Sequence, residues 1–382
     1  MRTQNLSLGG AWLQSGAHRH LGVDFYTERV RIWAPLACAV LLASCSSVSA
    51  HPKAGSPSHS SPSGENASKG KVLPGATTSA PTTAAPTTTV PPTTTTTAPA
   101  PSALAAPAPL ASFGAPSPGE GAWQPAGRGV GGNPAVYETW LVPPGGSQPA
   151  GVAWMDTRLL SARLYSGSMS PGGGPWQFTA PIQPAQASSL VAAFNGGFVM
   201  NVAGGGYYTQ GRVVDPLVNG AASFVIYSNG AVNIGAWGSD VSMTPTVTDV
   251  RQNLVPLVAN GAPTAAASNP NWASWGATIG GVENQWRSGV GITSDGALLY
   301  VTGPQLSPLQ LAQLLVQAGA VRGMQMDINP DWTVMATYNP APGTLASPAN
   351  GSKLLASTVQ GPWTFFESWW PRDFITMSSR VG

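Results

Sequence analysis

Beyond His59 and Cys45 this 382-residue chain contains no histidine and no cysteine. A Ser-His-Asp or Cys-His mechanism is therefore excluded from everything downstream. So is a zinc site with imidazole or thiolate ligands. No disulfide can staple a downstream domain, so its core alone must hold it. Charge is scarce as well. Asp, Glu, Lys and Arg make up 8% of the chain, against roughly a quarter in an average soluble protein. The formal net charge is +2, with no basic stripe, so no nucleic-acid partner is expected. Carboxylate, amide, hydroxyl and guanidinium chemistry remains. Oxygen ligands for a hard cation stay open in principle, but no metal ligand and no cofactor is assigned.

The first 45 residues read as an export signal. Arg29-Val30-Arg31 precedes an apolar run from Ile32 to Leu42, followed by Ala43-Ser44-Cys45. Basic residues, a short apolar core and small residues describe a secretory signal. Leu42-Ala43-Ser44-Cys45 also resembles a bacterial lipobox, which makes Cys45 the candidate lipidation site. The alternative is an ordinary signal with an incidental cysteine. Residues 46–118 are dominated by Ser, Pro, Thr, Ala and Gly. Such a segment cannot bury a core and is expected to be disordered. In polyproline II geometry it would reach roughly 200 Å at most, which suits a tether from a membrane into a cell wall. Residues 119–382 then fit a single domain, or two intimately packed halves.

The expected fold class of that domain is α+β: a mixed sheet with hairpins and few helices. Leu190 to Phe194 reads as a short buried strand. Phe224 to Tyr227 and Ala231 to Ile234 flank Ser228-Asn229-Gly230, a hairpin signal. Gly289 to Thr293 and Ala297 to Thr302 form a second hairpin through Ser294-Asp295-Gly296. Ser307-Pro308 opens a helix whose Leu311, Leu314, Leu315 and Ala318 share a face, and Gly319 ends it. Val321 to Met326 returns as a strand that delivers Asp327 at its end.

Asp327 is the first candidate catalytic residue. A carboxylate at the end of an apolar strand is partly desolvated, which raises its pKa and suits it to acid–base work. Its alternative role is to cap the turn through Asn329-Pro330. Asp331, four residues on, can complete a carboxylate pair with Asp327. Glycosidases place two carboxyls about 5 to 9.5 Å apart. The two can instead simply flank a loop, the reading favoured for Asp331, or share an oxygen-ligated cation. Glu283 is a further candidate carboxylate.

Asn195 stands before Gly196 and Gly197, where a polar side chain at a strand end meets glycines that let a ligand approach. It can also be a plain turn residue. Arg287 leads a strand and offers a fork for phosphate; Arg212 is a second such arginine. Either can instead be structural. Asn329, Trp286 and Trp332 adjoin the candidate site, and indole faces suit sugar rings. Gly204-Gly205-Gly206 is not a phosphate-binding P-loop, because no Lys-Ser/Thr follows.

In order, these segments resemble the phosphodiester glycosidase family, the group that includes the enzyme uncovering mannose 6-phosphate. The family pattern has a strand ending in Asn-Gly-Gly-Phe, here Asn195-Gly196-Gly197-Phe198. An Arg leads a Gly-Ile/Val-Gly-Ile strand, here Arg287 and Gly289-Val290-Gly291-Ile292. A hairpin glycine follows in Asp295-Gly296, then a helix with Leu311-Ala312-Gln313-Leu314-Leu315 and Gly319-Ala320. The family then has Asp before Gly-Gly-Gly-Ser. Here Asp327 stands, and Ile328-Asn329-Pro330-Asp331 replaces the glycines. The resemblance implies cleavage of a glycosyl–phosphate diester into sugar and phosphomonoester.

The resulting expectation is an envelope-anchored glycosidase held to the membrane by a lipid on Cys45. Its partner would be a saccharide or glycosyl-phosphate of the cell envelope. The alternative is a non-catalytic envelope lipoprotein of the same fold that binds saccharide.

Overall fold

The computed structural model describes residues 102–269 and 271–380. The signal segment, Cys45 and the Thr/Pro-rich part of the linker lie outside the described residues. Among the described residues the fold is dominated by strands, with three α-helices, two of them single turns of four residues.

Along the chain, β1 (Gln124–Ala126), β2 (Val136–Leu141) and β3 (Ala150–Met155) come first. They are followed by β4 (Leu160–Tyr165), the single-turn α1 (Pro184–Ala187) and β5 (Leu190–Asn195). Next are α2 (Met200–Ala203), β6 (Tyr207–Thr209), β7 (Arg212–Asp215), β8 (Ala222–Tyr227), β9 (Val232–Ala236) and β10 (Val247–Gln252). Two short strands, β11 (Val258–Ala259) and β12 (Ala262–Pro263), precede the long hairpin β13 (Gln285–Thr293) and β14 (Leu298–Leu306). Helix α3 (Pro308–Gln317), β15 (Ala320–Gln325), β16 (Met335–Tyr338), β17 (Gly351–Lys353) and β18 (Phe374–Ser379) complete the chain.

These strands form three sheets. One has eight strands in the order β1-β2-β3-β14-β13-β15-β11-β12; the other two have five each, β7-β6-β10-β8-β9 and β17-β16-β5-β18-β4. Every ladder between these strands is antiparallel. The largest core cluster takes side chains from all three sheets: Val290 and Tyr300, Phe224 and Ile234, Phe194 and Ile375. A second cluster fills the opposite face of the eight-stranded sheet, where Trp154, Leu299 and Val301 meet α3.

Local chemistry explains the elements that carry the site. The β8–β9 hairpin pairs Ile226 with Val232, and Gly230 supplies the positive φ of +74° that its turn requires. Ser307 caps α3 through a capping box with Gln310, the arrangement that satisfies two otherwise orphaned amides. The apolar face of α3 then sits on a strip of glycines. A Cβ on Gly289 would lie 3.1 Å from Leu311, and one on Gly323 would lie 3.2 Å from Leu315. These glycines of β13 and β15 thus serve close packing of helix on sheet, and leave no open surface for a ligand there.

The folded region begins ahead of residue 119. Leu104 is buried in the α3-side cluster, and its amide donates to the Asp156 carboxylate at 2.7 Å. Gln317 on α3 holds the Ala111 carbonyl at 2.7 Å. Residues 102–118 therefore pack as part of the domain, because Leu104 and Leu110 bring apolar surface that the Thr/Pro tract lacks.

One carboxyl between the sheets is poorly placed for charge. Glu138 Oε1 is buried without a partner among the described residues, and burial pushes its pKa to about 7, with a hydrogen bond from Thr337 pulling back. The native state therefore binds this proton more tightly than the unfolded chain. Stability contributed here is full below about pH 4.5 and is lost as pH rises toward 7, at no more than about 1.4 kcal/mol per pH unit. Glu138→Gln is expected to flatten that slope and to raise stability above pH 7, as read by urea unfolding across pH. An unchanged slope would contradict the assignment.

Candidate active site

The site is assembled where β5, β13 and β15 end together. The chain beyond β15 stays clamped to β13: Met326 N–H donates to Ser288 O at 2.8 Å, and Ser288 N–H donates to Asp327 O at 2.8 Å. The Ser288 hydroxyl accepts from the Asp327 amide at 3.1 Å and from Asn195 Nδ2 at 3.0 Å. The backbone of Asp327 is thereby fixed by side chains, not left on a free loop.

The Asp327 carboxylate is 3% exposed. Its Oδ1 accepts from the amides of Ile328 at 2.8 Å and Asn329 at 3.0 Å. Its Oδ2 accepts from Arg372 Nη2 at 2.6 Å. An ionised carboxylate offers about four lone-pair positions; three are taken, and one on Oδ2 is left. Burial holds the carboxyl above the ordinary carboxylate range, while Arg372 and the two amides pull it down and Asp373 adds a smaller upward push.

Arg372 is 8% exposed. Its Nη2 also donates to Gly197 O at 2.9 Å, and its guanidinium lies 4.9 Å from the Trp332 ring centre. Its Nε is buried with no hydrogen-bond partner among the described residues. Asp327, Arg372, Asn329 and Trp332 line a cleft of about 260 Å³, closed on other sides by Phe198, Val202 and Ala277. A carboxylate with one free lone pair, an arginine with unused donor capacity and an indole thus face one small cavity.

Beneath the cleft lies a fully buried ion pair. Arg251 Nε meets Asp373 Oδ2 at 2.8 Å with both side chains at 0% exposure. Arg251 also donates to the carbonyls of Gln252 and Phe198, and Ser170 Oγ donates to Asp373 Oδ1 at 2.9 Å. Asn253 joins this base to the strand ends: its Oδ1 accepts from Phe198 N–H at 3.0 Å, and its Nδ2 donates to Met326 O at 2.9 Å.

Residues 188–331 match the family model for phosphodiester glycosidase. Over this stretch the chain is similar to phosphodiester glycosidase domains. Among solved structures it is similar to the catalytic domain of zebrafish N-acetylglucosamine-1-phosphodiester alpha-N-acetylglucosaminidase, auto-inhibited by pro-peptide, at 16% identity over 68% of this chain and 88% of that one, with a TM-score of 0.40. It is also similar to a hypothetical protein from Synechocystis, at 12% identity over 67% of this chain and 64% of that one, with a TM-score of 0.33. No curated protein matches the chain. Arg372 and Asp373 lie beyond the phosphodiester glycosidase match, so the cleft is completed by the segment that leads into β18.

The structure brings Asp327, Asn329 and Trp332 together in the cleft and places the remaining candidates elsewhere. Asn195 is 2% exposed, and its Oδ1 is occupied by Tyr300 Oη at 2.6 Å and the Val334 amide at 3.1 Å. It positions strand ends. Gly196 and Gly197 are needed for packing: a Cβ on Gly196 would lie 2.0 Å from Asp373 Oδ2, and one on Gly197 would lie 2.8 Å from Asn253 Oδ1. Arg287, read from sequence as a phosphate fork, is 0% exposed. It is tied to Leu306 O at 2.8 Å, Gln325 Oε1 at 2.7 Å and Glu283 O at 2.9 Å. Burial lowers its pKa to about 10. It braces the start of β13 and is closed to a ligand.

Glu283 supplies that carbonyl, while the residue itself is exposed and outside the cleft. Asp331 is exposed, and its amide donates to Asn329 Oδ1 at 2.9 Å. The proposed Asp327–Asp331 pair does not face the cleft, because Asp331 belongs to an Asx turn. Trp286 is half-buried on β13 and does not line the cleft. Arg212 is exposed on β7, with its guanidinium 4.2 Å from the Trp176 ring centre.

Arg372, Asp373, Arg251 and Asn253 escaped sequence reasoning. In a chain with 8% charged residues, Arg372-Asp373 directly before an apolar strand was an available signal.

Gly196→Ala is expected to break the Arg251–Asp373 geometry and to cost about 3–5 kcal/mol, the scale of losing a buried ion pair. Gly114→Ala, where nothing lies within 4 Å, should stay within about 0.5 kcal/mol. Equal effects in denaturant unfolding would contradict this role.

Proposed function

We propose that this protein is an envelope-anchored glycosidase that hydrolyses a glycosyl–phosphate diester, or a related cell-envelope glycan, in the Asp327 cleft. The observation that carries the reading is the Asp327–Arg372 contact at 2.6 Å on the wall of a cavity bordered by Trp332. The phosphodiester glycosidase match supports the reaction class. The anchor rests on the sequence around Cys45.

In this reading the sugar lies against Trp332, with its anomeric carbon toward Asp327. The bond between that carbon and the phosphate oxygen breaks, and its electron pair leaves with the phosphate. Arg372 receives that charge through donors beyond the one engaged by Asp327. Water adds to the oxocarbenium-like carbon, and its proton goes to the free lone pair of Asp327 Oδ2. A phosphate needs little acid assistance to leave, which fits a cleft whose one lining carboxylate is Asp327.

A second reading, a saccharide-binding module without turnover, draws support from Ile328. Its side chain packs with Phe198 and Ala203 where the family pattern has glycine, so the cleft floor is fuller than that pattern implies.

The test incubates the protein with sugar-1-phosphodiesters, N-acetylglucosamine-1-phosphodiesters among them, and follows free sugar and phosphomonoester together. Wild type should release both, and Asp327→Asn should lose about 10²–10⁴-fold in kcat/KM. Wild-type binding without release would favour the second reading. Because a base must be ionised, kcat/KM should rise with pH through an acid limb above the ordinary carboxylate pKa of 3.8. Arg372 lowers that pKa, so Arg372→Gln should move the limb to higher pH as well as slow turnover. A limb unmoved in Arg372→Gln would remove Asp327 as the titrating base.

A further inference from the structure

A larger groove lies away from the Asp327 cleft and shares no residue with it. It encloses about 530 Å³, within the usual range of small-molecule sites, roughly 300–1,000 Å³. Its walls come from β4, the β6–β7 turn, the β8–β9 turn and the start of β10. Phe178, Tyr208 and Tyr227 line it, together with Arg163, Asp249 and Gln210. All three aromatic residues are half-buried, so each is seated in the fold while still bordering the groove.

The polar groups are held in place rather than loose. Asp249 accepts from the hydroxyls of Thr209 and of Thr248, the latter at 2.9 Å, and keeps lone pairs for further donors. Burial raises its pKa, while the hydrogen bonds from Thr209 and Thr248 and, more weakly, the Arg163 charge pull it down. The Arg163 guanidinium rests 3.9 Å from the Phe178 ring centre, a stacking that leaves its in-plane N–H groups available. Gln210 Oε1 accepts from the Gln177 amide at 3.2 Å, closing the rim.

This composition selects a class of ligand. One carboxylate and one guanidinium give no net charge, which disfavours a phosphate or a polyanion. The rings of Tyr208 and Tyr227 suit apolar C–H surfaces, the Phe178 ring being already covered by Arg163, and planar amide, carboxylate and guanidinium groups suit vicinal hydroxyls. We propose that this groove is a second, non-catalytic site that binds a neutral oligosaccharide. It would hold a glycan chain while the Asp327 cleft works elsewhere on it. The proposal does not depend on turnover at that cleft.

The test titrates the purified protein with chitotriose, mannotriose, maltotriose and cellotriose at up to millimolar concentration, followed by amide NMR shifts. At least one trisaccharide should bind saturably, with the largest shifts at Gly211, Ser228 and Asn229. Tyr208→Ala should weaken that binding by about tenfold or more. Gln210→Ala, at an exposed position, should weaken it without altering the fold. Asp327→Asn should leave it unchanged, which separates this site from the cleft. Absence of binding to all four sugars would overturn the proposal. So would shifts centred on Trp332 and Arg372, or affinity unchanged in both groove variants.

Discussion

The buried pair between Arg251 and Asp373 is the interaction on which the site depends. It joins the end of β10 to the start of β18 at 2.8 Å with no solvent exposure. Removing a partner from such a pair leaves an uncompensated charge and costs several kcal/mol. Its geometry dictates its neighbours. Gly196 must lack a Cβ because Asp373 fills that space, and the Gly196 amide donates to Asp373 O at 2.9 Å. Arg372, one residue before Asp373, is thereby aimed at Asp327 and Gly197 O. A structural ion pair and a candidate catalytic pair thus share two consecutive residues.

This arrangement suits a domain with little charge. Three of the few arginines are spent in the interior around the strand ends: Arg251 on Asp373, Arg287 on carbonyls, and Arg372 on Asp327. Only Arg372 borders the cleft and keeps an unpartnered buried nitrogen. The absence of histidine is consistent with chemistry that asks for a single proton acceptor and one cation for a departing phosphate.

Much of the scaffold was legible because its signals are local. Asn229-Gly230 marks a hairpin turn, Ser307 with Gln310 marks a helix start, and Leu311, Leu314 and Leu315 mark its buried face. Asp327 at the end of β15 was readable for the same reason. Arg287 misled because a strand-leading arginine beside glycines looks like a phosphate fork. Its true neighbours, Leu306 O and Gln325 Oε1, are 19 and 38 residues away in the chain. Arg372 was missed for the same physical reason, since it meets Asp327 across 45 residues. Long-range pairing carries no periodicity that a single sequence displays. The folded boundary was also misplaced, because two leucines in a Pro/Ala-rich stretch suffice to dock residues 102–118.

The central claim is that the bond broken lies between the anomeric carbon and the phosphate oxygen, under the control of Asp327. Its most direct test is turnover of a sugar-1-phosphodiester in water enriched in heavy oxygen, with mass analysis of both products. The account predicts the label in the released sugar and none in the phosphomonoester, with labelled sugar from Asp327→Asn formed about 10²–10⁴-fold more slowly. Label in the phosphate would place the attack at phosphorus and contradict it, as would undiminished labelling of the sugar by Asp327→Asn.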